Sequence, residues 1–292
     1  MTPPAAEPAA TATTATATTA APAGGSVTGP TAAPRVTFVH TLRAEWVKFR
    51  SLRSSWYTLA CLFGVGLGIT VLSMSSAGTQ YADATAEERQ DWDPTGLSLT
   101  TYIVAQLIIG VLGMLVVTSE YATGLMQTSL TATPRRHRLL AAKLAVATAV
   151  AVVAGQVLMF AAFLIGQALL RGQDVPSAEL GDPGALSAVA GGGLYLAAIA
   201  LLAAGLGTLM RATAGALTIL VGIIFLVPGL AGLFPAWLEG LLGFWPTAGA
   251  AAVLTTVPDP DYPHPWLNLG GMCLGVAAVL AAAFVAFRHR DV

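Results

Sequence analysis

The chain has 292 residues, 55% of them hydrophobic and only 10% charged, and a mean hydropathy of +0.71. Soluble domains carry about 25% charged residues, so a water-soluble globule is excluded and most of the surface must face something other than water. The net charge of −1 leaves no excess of basic residues to form the clustered face that nucleic acid requires, and no nucleic-acid partner is expected. The expected class is an all-α polytopic membrane protein.

Residues 1–35 are almost entirely Ala, Thr, Pro and Gly, with Glu7 and Arg35 their only charges. Such a composition cannot bury a core and reads as a disordered tail. It lacks the basic and apolar regions of a signal peptide. Residues 36–54 change character: Val39, Leu42, Trp46 and Phe49 recur at helical spacing, while Arg43, Lys48, Arg50 and Arg53 fill the intervening positions. This pattern predicts an amphipathic helix in the membrane plane, its apolar side in lipid and its cations among anionic head groups.

The remainder, residues 55–292, holds apolar runs that can be judged against the roughly 20 residues needed to cross the hydrocarbon layer. Six qualify as spans: Trp56–Ser76, Leu99–Ser119, Leu144–Leu170, Ser187–Met210, Thr213–Leu233 and Trp266–Phe287. Ala236–Val257 is also apolar enough, but charge argues against a seventh span. With six spans and both termini cytoplasmic, twelve of the fourteen basic residues fall inside, leaving only Arg89 and Arg171 outside. Eleven of the fifteen acids then lie outside. This is the asymmetry of the positive-inside rule, and a seventh span would export Arg288 and Arg290. The region 234–265, interrupted by Pro246 and Gly249, is therefore expected to form a re-entrant outer hairpin sheltered by protein. A multi-pass plasma-membrane location follows. Cys61 and Cys273 sit in apolar stretches and read as small buried hydrophobes, not as a disulfide or metal pair.

The chain's only lysines, Lys48 and Lys143, do not follow glycine, so there is no phosphate-cradling loop and no ATP hydrolysis is expected from this chain. No catalytic residue, metal site or cofactor site is expected. Two other classes would leave their own marks: a membrane-embedded enzyme and an ion-coupled carrier. The first would gather acids and histidines at one face. The second would bury ionisable groups in mid-membrane, where Gln106 is the most polar residue found.

The informative stretch is Glu120 to Lys143. Leu125, Met126, Ser129 and Leu130 form a short stripe at helical spacing, and Pro134 halts the helix. A short helix of this kind can seat its apolar anchors in a partner's groove. Arg135, Arg136 and Arg138 serve equally well as positive-inside determinants.

The order Glu120-x3-Gly124, then leucine, Thr133-Pro134-x-Arg136 and Lys143 resembles the coupling-helix region of ABC-2 type transporter permeases. The block from Leu42 through Glu45, Trp46 and Lys48 to Trp56 resembles the start of actinobacterial members, and the likeness extends over about residues 36–290. Leu125 stands where many members have threonine. The resemblance implies a half-transporter. Two permease chains would pair, most simply as a homodimer, and each would dock a separate cytoplasmic ATPase that binds ATP and Mg. Their motion would open an export path. The ATPase-coupling residues implied, within about 120–133 and just beyond, are Glu120, Tyr121, Gly124, Leu125, Met126, Ser129, Leu130 and Arg136. Gly124 would allow close backbone approach. Pairs such as Gly64 and Gly68, or Gly271 and Gly275, offer small-residue faces for helix packing.

Overall fold

The computed structural model describes residues 37–132, 136–235 and 240–289, so the expected tail at 1–35 lies outside the described residues, as do Thr133, Pro134 and Arg135. The first helix, α1 (Phe38–Ser51), ends where Leu52 turns extended, and α2 (Arg53–Ser75) begins at once. Trp56 closes the corner by donating its indole N–H to the Arg50 carbonyl at 2.9 Å, satisfying one of the acceptors a helix end leaves open. Three short helical turns, Ala77–Asp83, Ala86–Gln90 and Pro94–Leu99, lead into α3 (Tyr102–Ala122). There follow the short α4 (Leu125–Ala132), the long α5 (Arg136–Arg171), α6 (Ala185–Met210), α7 (Thr213–Val221) and α8 (Pro265–His289). The described residues contain helices and turns without strands.

Among the described residues five helical segments are long and apolar enough to cross a membrane: Arg53–Asp83, Pro94–Ala122, Arg136–Arg171, Ala185–Met210 and Pro265–His289. The sixth apolar helical run, Thr213–Gly229, is shorter. The bundle centres on α6, whose most apolar stretch is 83% buried, so it packs against protein on nearly every side. Its alanines and glycines allow this. Gly113 of α3 lies so close to the Ala200 carbonyl that an added Cβ would collide with it. The outer helices α2 and α8 are far less buried and leave apolar side chains such as Leu72 and Leu274 exposed. Cys61 and Cys273 are exposed as well. An apolar helix on the rim of a bundle points such residues at lipid, which is why the expectation of burial fails for both.

The sixth run is broken for a definite reason. Pro228 has no N–H to give the Ile224 carbonyl four residues earlier, and Val227 donates to Gly222 instead, closing a π-turn over Gly222–Leu226. The carbonyls of Ile223 and Ile224 are thereby released. Trp245 donates its indole N–H to Ile223 at 2.6 Å, and the Thr247 hydroxyl donates to Ile224. The segment that carries these two residues continues as a 3-10 helix, Gly249–Leu254, packed against α6 and α8. Asp93 pins it further, accepting from the Thr256 N–H at 2.8 Å, the Thr256 hydroxyl at 2.7 Å and the Gly96 N–H at 2.9 Å. This end of the molecule also carries Asp83, Glu87, Asp91 and Asp259 and is the acidic end.

Candidate coupling site at the basic end

At the opposite end, α1 lies against α5 and buries Thr41, Glu45 and Phe49. The lipid-type stripe read from the sequence divides accordingly: Val39 and Trp46 stay exposed, while Phe49 turns into the bundle. Of the charged residues of α1, Glu45 and Lys48 face protein, because protein supplies charges to meet them, while Arg43 and Arg50 stay exposed.

Those charges form one network. Glu45 and Lys48 of α1, Glu120 near the end of α3 and Lys143 in the second turn of α5 converge, and Lys143 is 1% exposed. Lys143 donates to Glu45 Oε2 at 2.8 Å and to Glu120 Oε1. Lys48 donates to Glu45 Oε1 at 3.1 Å, Glu120 Oε1 at 3.0 Å and the Ser129 hydroxyl of α4 at 3.0 Å. Ser129 in turn donates to Glu120 Oε2 at 3.3 Å. Two cations thus meet two anions, and all four carboxylate oxygens have a donor. Buried charges are tolerable only when paired and hydrogen-bonded in this way. For Lys48, burial works against the ammonium, but the hydrogen bond and charge of Glu120, with the charge of Glu45, raise its pKa above the ordinary lysine value. A cavity of about 220 Å³ opens beside the network between α1 and α3, with Lys48, Leu52, Ser119, Glu120 and Leu125 on its walls.

The other expected site residues fall around this centre. Tyr121 is half-buried beneath the Arg211 guanidinium, 5.5 Å from its ring centre. Gly124 has a φ of +71° with open space around its Cβ position. The left-handed turn between α3 and α4 therefore calls for glycine here. Leu125 is 54% exposed. Met126, expected to face a partner's groove, instead packs inward with Val117, Leu139, Leu140 and Phe287, because the helix turns that side toward the bundle. The side chain of Leu130 lies outside the described residues, and Arg136 is half-buried in the first turn of α5. Arg43, Arg50 and Arg53 are exposed along α1 and the start of α2.

Glu45 and Lys143 are members that the sequence did not mark, and Lys48, expected among anionic head groups, turns instead to Glu45, Glu120 and Ser129. A signal existed: Glu45 is the one acid in a basic helix, and both lysines of the chain end up here. Gln106 serves the bundle interior, accepting from the Tyr195 hydroxyl at 2.6 Å. Among the described residues no group of His, Cys, Asp and Glu could hold a metal ion. The fold and this site define a polytopic all-α membrane protein with a polar joint at one end. A family described as ABC-2 family transporter protein matches residues 41–229, and the chain belongs to that family: it is a transmembrane subunit of an ABC transporter. A comparison with curated proteins finds no match.

Proposed function

We propose that the chain is the export permease of an ATP-driven transporter in the plasma membrane, that it works as a pair of copies, and that a separate cytoplasmic ATPase docks on its basic end. The observation that carries this reading is the charge network, which ties α1, α3, α4 and α5 into one joint. A push on α4 is passed through Ser129 to Lys48 and Glu120, and from there to two of the membrane-crossing helices. Exposed Leu125 beside the 220 Å³ cavity offers an apolar anchor for the ATPase, as helix-in-groove docking requires.

Two substitutions test the reading in cells that co-express an ABC ATPase with this chain. Leu125→Glu is expected to reduce ATPase recovery by about tenfold, the size of a lost interface anchor. Ser129→Ala leaves every charge paired and cuts only the link to α4. It is expected to preserve complex assembly and ATP hydrolysis while transport falls. Full docking and full transport in both variants would refute the coupling role.

A further inference from the structure

A second cavity, of about 320 Å³, lies on the outer side of the same helix, between α1, α2 and α5. Its walls are Phe49, Trp56, Leu59, Phe63, Val150 and Val153, and its one charged lining residue is Arg50 at the α1 edge. Trp56 and Val153 are 56% and 63% exposed, so the groove opens sideways onto the surface that lipid covers. Trp46, stacked on Phe49 with ring centres 6.1 Å apart, marks with Trp56 the level at which amphipathic rings sit between hydrocarbon and head groups. The hydrogen bond from Trp56 to the Arg50 carbonyl fixes the main chain of Arg50 beside the groove.

The charge around the mouth is uncompensated. Glu45 and Glu120 are committed to Lys48 and Lys143. Among the described residues Arg43, Arg50 and Arg53 make no ion pair with an acid. An apolar slot with a cation at its rim matches an acyl chain joined to a negative head group. A zwitterionic head group would leave the arginine charge unbalanced.

We propose that this groove is a binding site for one anionic phospholipid, with an acyl chain along Phe63 and Val153 and the head-group phosphate on the Arg50 guanidinium. Arg50 lies two residues beyond Lys48, so an occupied site holds down the helix that supplies half of the charge network. The binding itself does not depend on the export reading.

The test is native mass spectrometry of the purified full chain titrated with dioleoylphosphatidylglycerol or dioleoylphosphatidylcholine. One phosphatidylglycerol per chain is expected to bind about fivefold more tightly than phosphatidylcholine, the gain of one arginine near an anionic head group. Arg50→Gln should erase that preference, whereas Arg43→Gln and Arg53→Gln should keep it. Val153→Trp, at an exposed position, should fill the slot and weaken binding of both lipids with the head-group contact intact. Equal binding of the two lipids by the unmodified chain would overturn the proposal, as would a preference that survives Arg50→Gln or is lost equally with any of the three arginines. If Arg50→Gln does not purify as a folded species, undiminished binding by Val153→Trp would overturn the site by itself.

Discussion

Lys143 is the residue on which the basic end depends most. It is buried and holds Glu45 and Glu120 at once, so Lys143→Met would leave two buried carboxylates to share Lys48. Removing one partner of a buried ion pair costs on the order of 3–5 kcal/mol, and thermal melting in detergent should show a correspondingly large loss. Arg171→Ala is the matched control. Its pair with Glu179 is exposed and 3.7 Å long, so the change should stay within about 0.5 kcal/mol. The raised pKa of Lys48 fixes the sign of the pH response. A group with a raised folded-state pKa gives its full stabilisation below its unfolded value and loses it only as pH climbs through the folded one. The Lys48 contribution should therefore be unchanged from neutral to mildly alkaline pH and fade only in strong alkali, a trend that comparing melts with those of Lys48→Met would reveal. The sequence made Glu120 visible through its motif. It could not reveal that Lys143 reaches Glu45 across 98 positions, because pairing of that range is set by how α1 folds back on α5.

At the scale of elements, hydropathy was enough to place five long helices, since each must present apolar surface for its whole crossing length. The break in the sixth run was half legible. Pro228 predicts a carbonyl without a donor, but only the fold supplies the Thr247 and Trp245 side chains that satisfy the released groups. This makes a double-mutant cycle decisive. Thr247→Val should destabilise the acidic end by about 1–3 kcal/mol, the cost of an unsatisfied buried acceptor. Pro228→Ala restores an N–H at the site, and in that background Thr247→Val should cost clearly less. Equal costs in both backgrounds would mean that the π-turn has another origin. Packing within the bundle obeys the same logic of close approach. Gly113→Ala places a methyl group against the Ala200 carbonyl and should lower the melting temperature. Gly64→Ala, whose methyl group meets no other helix or side chain within 4 Å among the described residues, should not. The Gly64 and Gly68 face noted in the sequence is thus not used within the chain, a fact invisible to a count of small residues.

Among the described residues the charged groups lie at two ends, with the apolar bundle between them. At one end two lysines and two glutamates neutralise each other, and the surrounding arginines remain as the net charge. At the other, Asp93 spends its carboxylate on the hairpin, while Asp83, Glu87 and Asp91 stay on the exposed surface. Positive charge resists translocation and acidic loops do not, so the basic end should be cytoplasmic. Six crossings would then return the chain to the side on which it began, provided the shorter run at Thr213–Gly229 spans with the hairpin completing its outer end. Single cysteines introduced in a background lacking Cys61 and Cys273 test this directly. A membrane-impermeant maleimide applied to intact cells should label Asp91→Cys and leave His289→Cys unlabelled until the membrane is opened. Labelling of both from outside would require an odd number of crossings, and the hairpin at 234–265 would have to be the extra span. Labelling of His289→Cys alone would reverse the orientation and remove the ATPase-facing role from the basic end.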